Sequence, residues 1–166
     1  MMRSLIALTL LLAGCSPALT FRVDPAATPE QRGAVASSIA DWNVHTNAKH
    51  KLRLDASGDY LVYFPPRIQV SDGPDADNEP DLAGGRECTH RGKDCPIAPS
   101  IAALREYTGA RLLQVLRHEL GHALGIKHID EDGALMGGPG RAKAEDITDR
   151  DITECRRVGA CTGAAK

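Results

Sequence analysis

The sequence predicts an α+β fold: a twisted, mixed sheet of four or five strands, two long helices, and a small C-terminal part ending in a third helix. Short segments with strand character lie at 19–23, 51–55, 60–64, 67–70 and 96–101. Two longer segments, 28–45 and 109–124, carry apolar residues at helical spacing. After Gly125 the pattern turns irregular until a final helical stretch at 148–158.

In order along the chain, 19–23 alternates and includes Phe21 and Val23. Thr28-Pro29-Glu30-Gln31 marks a helix start, with a capping threonine, proline at the first helical position and glutamine three residues on. Val35, Ile39 and Trp42 then fall on one face, with Ala36 and Ala40 expected beside them. Leu52 and Leu54 share a strand face; Ser57-Gly58-Asp59 reads as a turn into a partner strand at 60–64. Pro65-Pro66 interrupts before a short strand at 67–70. Residues 71–94 are rich in Asp, Gly, Pro and Glu without periodicity, which suits a long surface loop. An edge strand is expected at 96–101. Leu112, Leu113, Val115, Leu116, Leu120 and Leu124 give the second helix a broad apolar face. Thr148, with Asp151 three residues later, opens the last helix.

The chain has 166 residues, room for one domain with a real core. A formal net charge of −2 gives no reason to expect nucleic acid as a partner, and a monomer is expected. Aromatic content of 4% means a mostly aliphatic core. Residues 1–14 read as an export signal, with Arg3 before an apolar run at 5–13 that is too short to span a membrane. Leu12-Ala13-Gly14-Cys15 looks like a bacterial lipobox, which implies lipidation of Cys15, a short tether at 15–18 and the folded domain at 19–166. The expected location is the cell envelope, anchored in a membrane; Ser16 after the cysteine points to the outer membrane if the cell is Gram-negative. A plain signal peptide with an incidental cysteine is the simpler alternative. Of the other cysteines, the short separations favour disulfides Cys88–Cys95 and Cys155–Cys161, although four cysteines allow other pairings.

Chemistry concentrates in one run. His118 and His122 are four apart on a helix, so both imidazoles leave the same face and can hold zinc. Glu119 is aimed too far round to complete the metal shell and is well placed to reach a water there. Gly125 lets the chain leave the helix sharply and brings His128 back as a third ligand. Three protein ligands leave one position open, the mark of a catalytic rather than a structural zinc. Chance occurrence of the pattern in a chain of this size is about one in a hundred thousand, which sets aside coincidence.

That run, His118-Glu119-x-x-His122-x-x-Gly125-x-x-His128, resembles the metzincin peptidase motif. Ala134-Leu135-Met136, with Met136 eight residues after His128, is similar to the matrixin form of the Met-turn. The helix with Trp42 and the segment Thr148-x-x-Asp151-Ile152 also resemble matrixins. The resemblance implies that His118, His122 and His128 hold one zinc and that Glu119 is general base, then general acid, in peptide-bond hydrolysis. It implies that Met136 packs beneath the metal without ligating it. It places Gln114 and Pro139 at a substrate pocket, the tyrosine usual after that proline being absent. Ile129 stands where matrixins usually carry serine. No propeptide is expected between Cys15 and the first strand. The substrate is then a peptide or protein; the competing reading is a zinc-binding surface lipoprotein that acts as an interaction module without turnover.

Other polar residues have simpler readings. Asp72, Asp75, Asp77, Glu79 and Asp81 could contribute to a calcium (Ca2+) site, but their spacing matches no defined calcium loop and a solvated acidic loop is favoured. His90 reads as a surface histidine, and His45 and His50 suit the negative end of the first helix.

Overall fold

The computed structural model describes residues 18–66, 100–138, 141 and 143–163. The expectations for Cys15, the strand at 67–70, the acidic loop with His90, the Cys88–Cys95 pair and Pro139 lie outside them. The elements are β1 (Leu19–Val23), α1 (Pro29–His45), β2 (Leu52–Leu54), β3 (Tyr60–Tyr63), β4 (Ser100–Ala102), α2 (Gly109–Ala123) and α3 (Asp149–Arg157). All were expected near these positions, and β4 extends one residue past the expected 96–101 segment.

The sheet order is β2-β1-β3-β4, and every pairing among the described strands is parallel. This corrects one expectation: β3 is not the partner of β2. The two flank β1, with β2 paired to its first half and β3 to its second. Between them the chain steps over β1 at Phe21, whose carbonyl accepts from the Asp55 amide at 2.8 Å. Gly58 makes the crossing possible, since a Cβ there would stand 2.6 Å from the Phe21 carbonyl carbon and 2.7 Å from the Arg22 nitrogen. Leu54, expected on the same strand face as Leu52, is 46% exposed where that crossing begins, whereas Leu52 is buried.

The first helix starts as its cap dictates. The Gln31 amide donates to Thr28 Oγ1 at 3.2 Å, and the Thr28 amide donates to Gln31 Oε1 at 2.9 Å. α1 packs against α2 and β2, and α2 reaches β4. Val35, Ile39 and Trp42 are buried as expected, but Ala36 and Ala40 are exposed; Gln31 and Ser38 occupy the buried flank instead. Contact with both a helix and a strand has turned the covered stripe toward that side. Trp42 is fully buried and its indole N–H donates to the Arg117 carbonyl at 2.7 Å, tying α1 to the middle of α2.

The C-terminal segment returns to the end of α1. The Asn47 amide donates to Ala160 O at 3.0 Å, and the Thr162 amide to His45 O at 2.9 Å. A Cys155–Cys161 disulfide fastens this segment to α3, the pairing that the short separation favoured.

Candidate metal centre

α2 runs without interruption through His118 and His122 and then ends in a turn closed by two backbone hydrogen bonds. Gly125 has φ +85, its amide donates to His122 O at 2.8 Å, and the Ile126 amide donates to Gly121 O at 3.1 Å. The same turn orients a side chain, because Ile126 O accepts from His122 Nδ1 at 2.8 Å. The chain then doubles back and delivers His128.

The three Nε2 atoms form a nearly equilateral triangle, with separations of 3.1 Å (His118–His122), 3.2 Å (His122–His128) and 3.3 Å (His128–His118). A tetrahedron whose corners lie about 2.0–2.1 Å from its centre has edges of about 3.3 Å, so the triangle fits three of four ligands of one ion. His118 Nδ1 lies 2.8 Å from Leu135 O, as His122 Nδ1 does from Ile126 O. A carbonyl oxygen cannot donate, so both Nδ1 atoms carry the proton and both Nε2 atoms present lone pairs. Two facing lone pairs at such a distance repel; a cation between them turns repulsion into ligation. Burial, followed by the neighbouring His122, holds the His118 pKa down to about 3, which keeps that lone pair free of a proton. The cluster grades from buried His118 through half-buried His122 to exposed His128, so it opens toward solvent on one side.

A further layer holds the histidines. Asp151 is fully buried; its Oδ1 accepts from the Met136 amide at 2.8 Å and its Oδ2 from the Leu135 amide at 3.1 Å. Oδ2 also accepts from the amide and hydroxyl of Thr148, at 2.8 and 2.6 Å. One carboxylate thus caps α3 and clamps the peptide whose carbonyl orients His118. In the sequence Asp151 reads as a capping partner within the matrixin-like segment Thr148-x-x-Asp151-Ile152; nothing local signals that it reaches sixteen residues back. Met136 is fully buried against α2, where Gly121 leaves room for its thioether between the two histidine-bearing turns.

The remaining candidates are placed as follows. Glu119 is buried on α2 and does not join the cluster of ligand atoms, which consists of the three histidines. Gln114, half-buried on the same helix, donates Nε2 to Ala144 O at 2.9 Å and to Lys143 O at 3.4 Å. His50 Nδ1 lies 2.9 Å from Asn47 Oδ1, remote in sequence and role from the cluster.

A family model described as Matrixin matches residues 21–156. Among curated proteins, none matches the chain. The family match runs from β1 into α3 and so contains the sheet, the helix with His118 and His122, the return of His128 and the clamp behind them. A match over that span, together with three imidazoles converged on one point, shows that the chain belongs to the matrixin family and is a zinc metalloendopeptidase.

Proposed function

We propose that His118, His122 and His128 hold one catalytic zinc and that Glu119 is the general base for hydrolysis of a peptide bond. The triangle of Nε2 atoms, open on the His128 side, is the observation that carries this reading. Imidazole sets suit several transition metals, and membership of the matrixin family favours zinc among them. When bound, zinc supplies Lewis acidity: it lowers the pKa of a water and polarises a carbonyl oxygen. Glu119 takes the proton of the attacking water and afterwards returns it to the departing amine nitrogen. His118 and His122, each held by a backbone carbonyl, keep their Nε2 lone pairs aimed at the centre throughout. Met136 serves as the packed floor behind them, in the manner of a Met-turn.

An extended substrate would add to the sheet beside β4, with backbone hydrogen bonds supplying register. Gln114 would shape the substrate pocket indirectly, through the backbone it holds at 143–144. Tethering through Cys15 belongs to the same proposal and is supported by the apolar run and the Leu12–Cys15 pattern. Among the described residues, no helix is long and apolar enough to cross a membrane.

The test is cleavage of a peptide library by the purified zinc-loaded protein, with and without a hydroxamate chelator. Defined cleavage sites that vanish with the chelator are expected. A protein that binds zinc and library peptides but cuts none of them would favour the interaction-module reading instead.

A further inference from the structure

α3 is held to the rest of the molecule at two points on one face. Of its nine residues, Asp151 and Cys155 are the buried ones, and they stand one helical turn apart. No strand or other helix among the described residues packs broadly against α3. Its placement therefore falls to these two side chains, with Ile147 and Val158 reaching the core at either end. Asp151 is the link to the metal centre, since it holds the amides of Leu135 and Met136 and the Leu135 carbonyl orients His118. Arg150 beside it adds a second arm, donating to Asp132 O and pairing with Glu131 at 3.1 Å in the turn that follows His128.

Cys155 is the link to α1. Its sulfur is bonded to Cys161, and its carbonyl accepts from the Ala160 and Cys161 amides at 3.0 and 3.2 Å. Cys161 in turn bridges to Thr46, at the end of α1, and Asn47 Nδ2 donates to Gly159 O at 2.7 Å. α1 is itself joined to α2 by the Trp42 indole, which donates to Arg117 O. The disulfide thus closes a ring: from α2 to α1, across to Cys161, through the sulfurs to α3, and by Asp151 and Leu135 back to His118 on α2. Without it, α3 would be joined to Cys161 only by a short turn at Gly159 (φ +82) and its hydrogen bonds.

We propose that the Cys155–Cys161 disulfide is a redox-sensitive lock on the metal centre. Oxidised, it holds α3 so that Asp151 keeps the Leu135 carbonyl aimed at His118; reduced, it frees α3 and the three histidines bind metal more weakly. The reductant is a dithiol: its thiolate attacks one sulfur, the Cys155–Cys161 bond breaks through a mixed disulfide, and the reductant closes to its own disulfide while its two protons pass to the released thiols. Both sulfurs are buried, so the dithiol reaches them when the segment around Cys161 opens locally. The consequence is a metal site completed only where disulfides form. This rests on the three-histidine zinc site proposed above and is independent of turnover.

The test measures zinc affinity, by competition against a chelator, for oxidised wild type and for wild type reduced with a dithiol and desalted without oxygen. The Cys155→Ser/Cys161→Ser double variant is treated both ways alongside, thiol labelling with mass analysis reports which cysteines are reduced, and circular dichroism reports the helices. Reduction should weaken zinc binding by wild type about tenfold or more with helix content kept, and reoxidation should restore it. The double variant should match reduced wild type and be unmoved by the dithiol. Asp151→Asn should lower zinc affinity by a smaller factor in the double variant than in wild type, because both changes release the same clamp. Zinc affinity within about twofold of the oxidised value, once Cys155 and Cys161 are reduced, overturns the proposal. An equal dithiol response in the double variant overturns it too, by assigning the effect to other cysteines. So do equal Asp151→Asn factors in both backgrounds, or loss of the helices on reduction, which would make the disulfide a general staple. Oxidised wild type that binds no zinc overturns the metal-site reading itself, and this inference with it.

Discussion

Gly121 and Met136 are packed so closely that a side chain at 121 has nowhere to go: a Cβ there would lie 3.0 Å from Met136 Cε, with Sδ nearer still, and 3.1 Å from Trp42 Cζ2. The glycine between the two helical histidines thus sets the depth at which the 134–136 turn sits under the metal centre. Gly121→Ala should destabilise the fold by about 1–3 kcal/mol, because Met136 and Trp42 are both fully buried and must move. Zinc affinity should fall with it, since Leu135 carries the carbonyl that orients His118. Denaturant unfolding and competitive zinc titration of the variant check both effects; an unchanged zinc affinity would separate the turn from the metal centre.

Asp151 acts on His118 at one remove, by fixing the Leu135 and Met136 amides. Asp151→Asn can accept through only one atom and brings two donors into a place that already holds donors. Zinc affinity should drop about 10–100-fold, as for other residues that orient a ligand from behind. The readout is competition against a chelator of known affinity. A variant that folds and binds zinc as tightly as wild type would remove Asp151 from the metal centre.

The low His118 pKa has a consequence for the chelated, metal-free protein. The folded chain refuses a proton at His118 until about pH 3, whereas the unfolded chain accepts one from about 6.5 downward. In that window the unfolded state binds more protons, so stability falls as pH falls, by up to about 1.4 kcal/mol per pH unit. Urea unfolding from pH 7 to 4 in excess chelator should show this slope, and His118→Asn should flatten it. The same slope in the variant would assign the effect to other groups.

Ser38 is fully buried in α1 and its Oγ has no hydrogen-bond partner among the described residues. Removing an unsatisfied buried hydroxyl should be favourable, so Ser38→Ala is expected to raise stability by roughly 1 kcal/mol. A lower midpoint in denaturant unfolding would show that the hydroxyl is satisfied in solution.

What could be read from the sequence was what the chain encodes locally. Thr28 with Gln31 and Thr148 with Asp151 announced their helices because a cap is settled within four residues. His118, His122 and Gly125 were legible because helical spacing and a left-handed glycine act at short range. Strand pairing was not. That β2 and β3 flank β1 depends on Gly58 meeting the backbone of Phe21, a contact between segments far apart in sequence. The flank of α1 is not settled locally for a related reason: two alanines suit burial by composition, but packing against both α2 and β2 covers Ser38 and Gln31. The second duty of Asp151 and the fastening of Lys143 by Gln114 are likewise tertiary, and no local pattern carries them.

The most direct test of the account is Glu119→Ala, with zinc content and peptide cleavage measured on the same preparations as wild type. Glu119 is buried on α2, next to His118 in sequence, and does not join the ligand cluster of the three histidines. The variant should therefore bind one zinc per chain as wild type does and lose cleavage by at least about 10²-fold, the scale set by loss of a general base. Cleavage undiminished in the zinc-loaded variant would contradict the mechanism, and loss of zinc along with cleavage would contradict the division of this site into three ligands and a base.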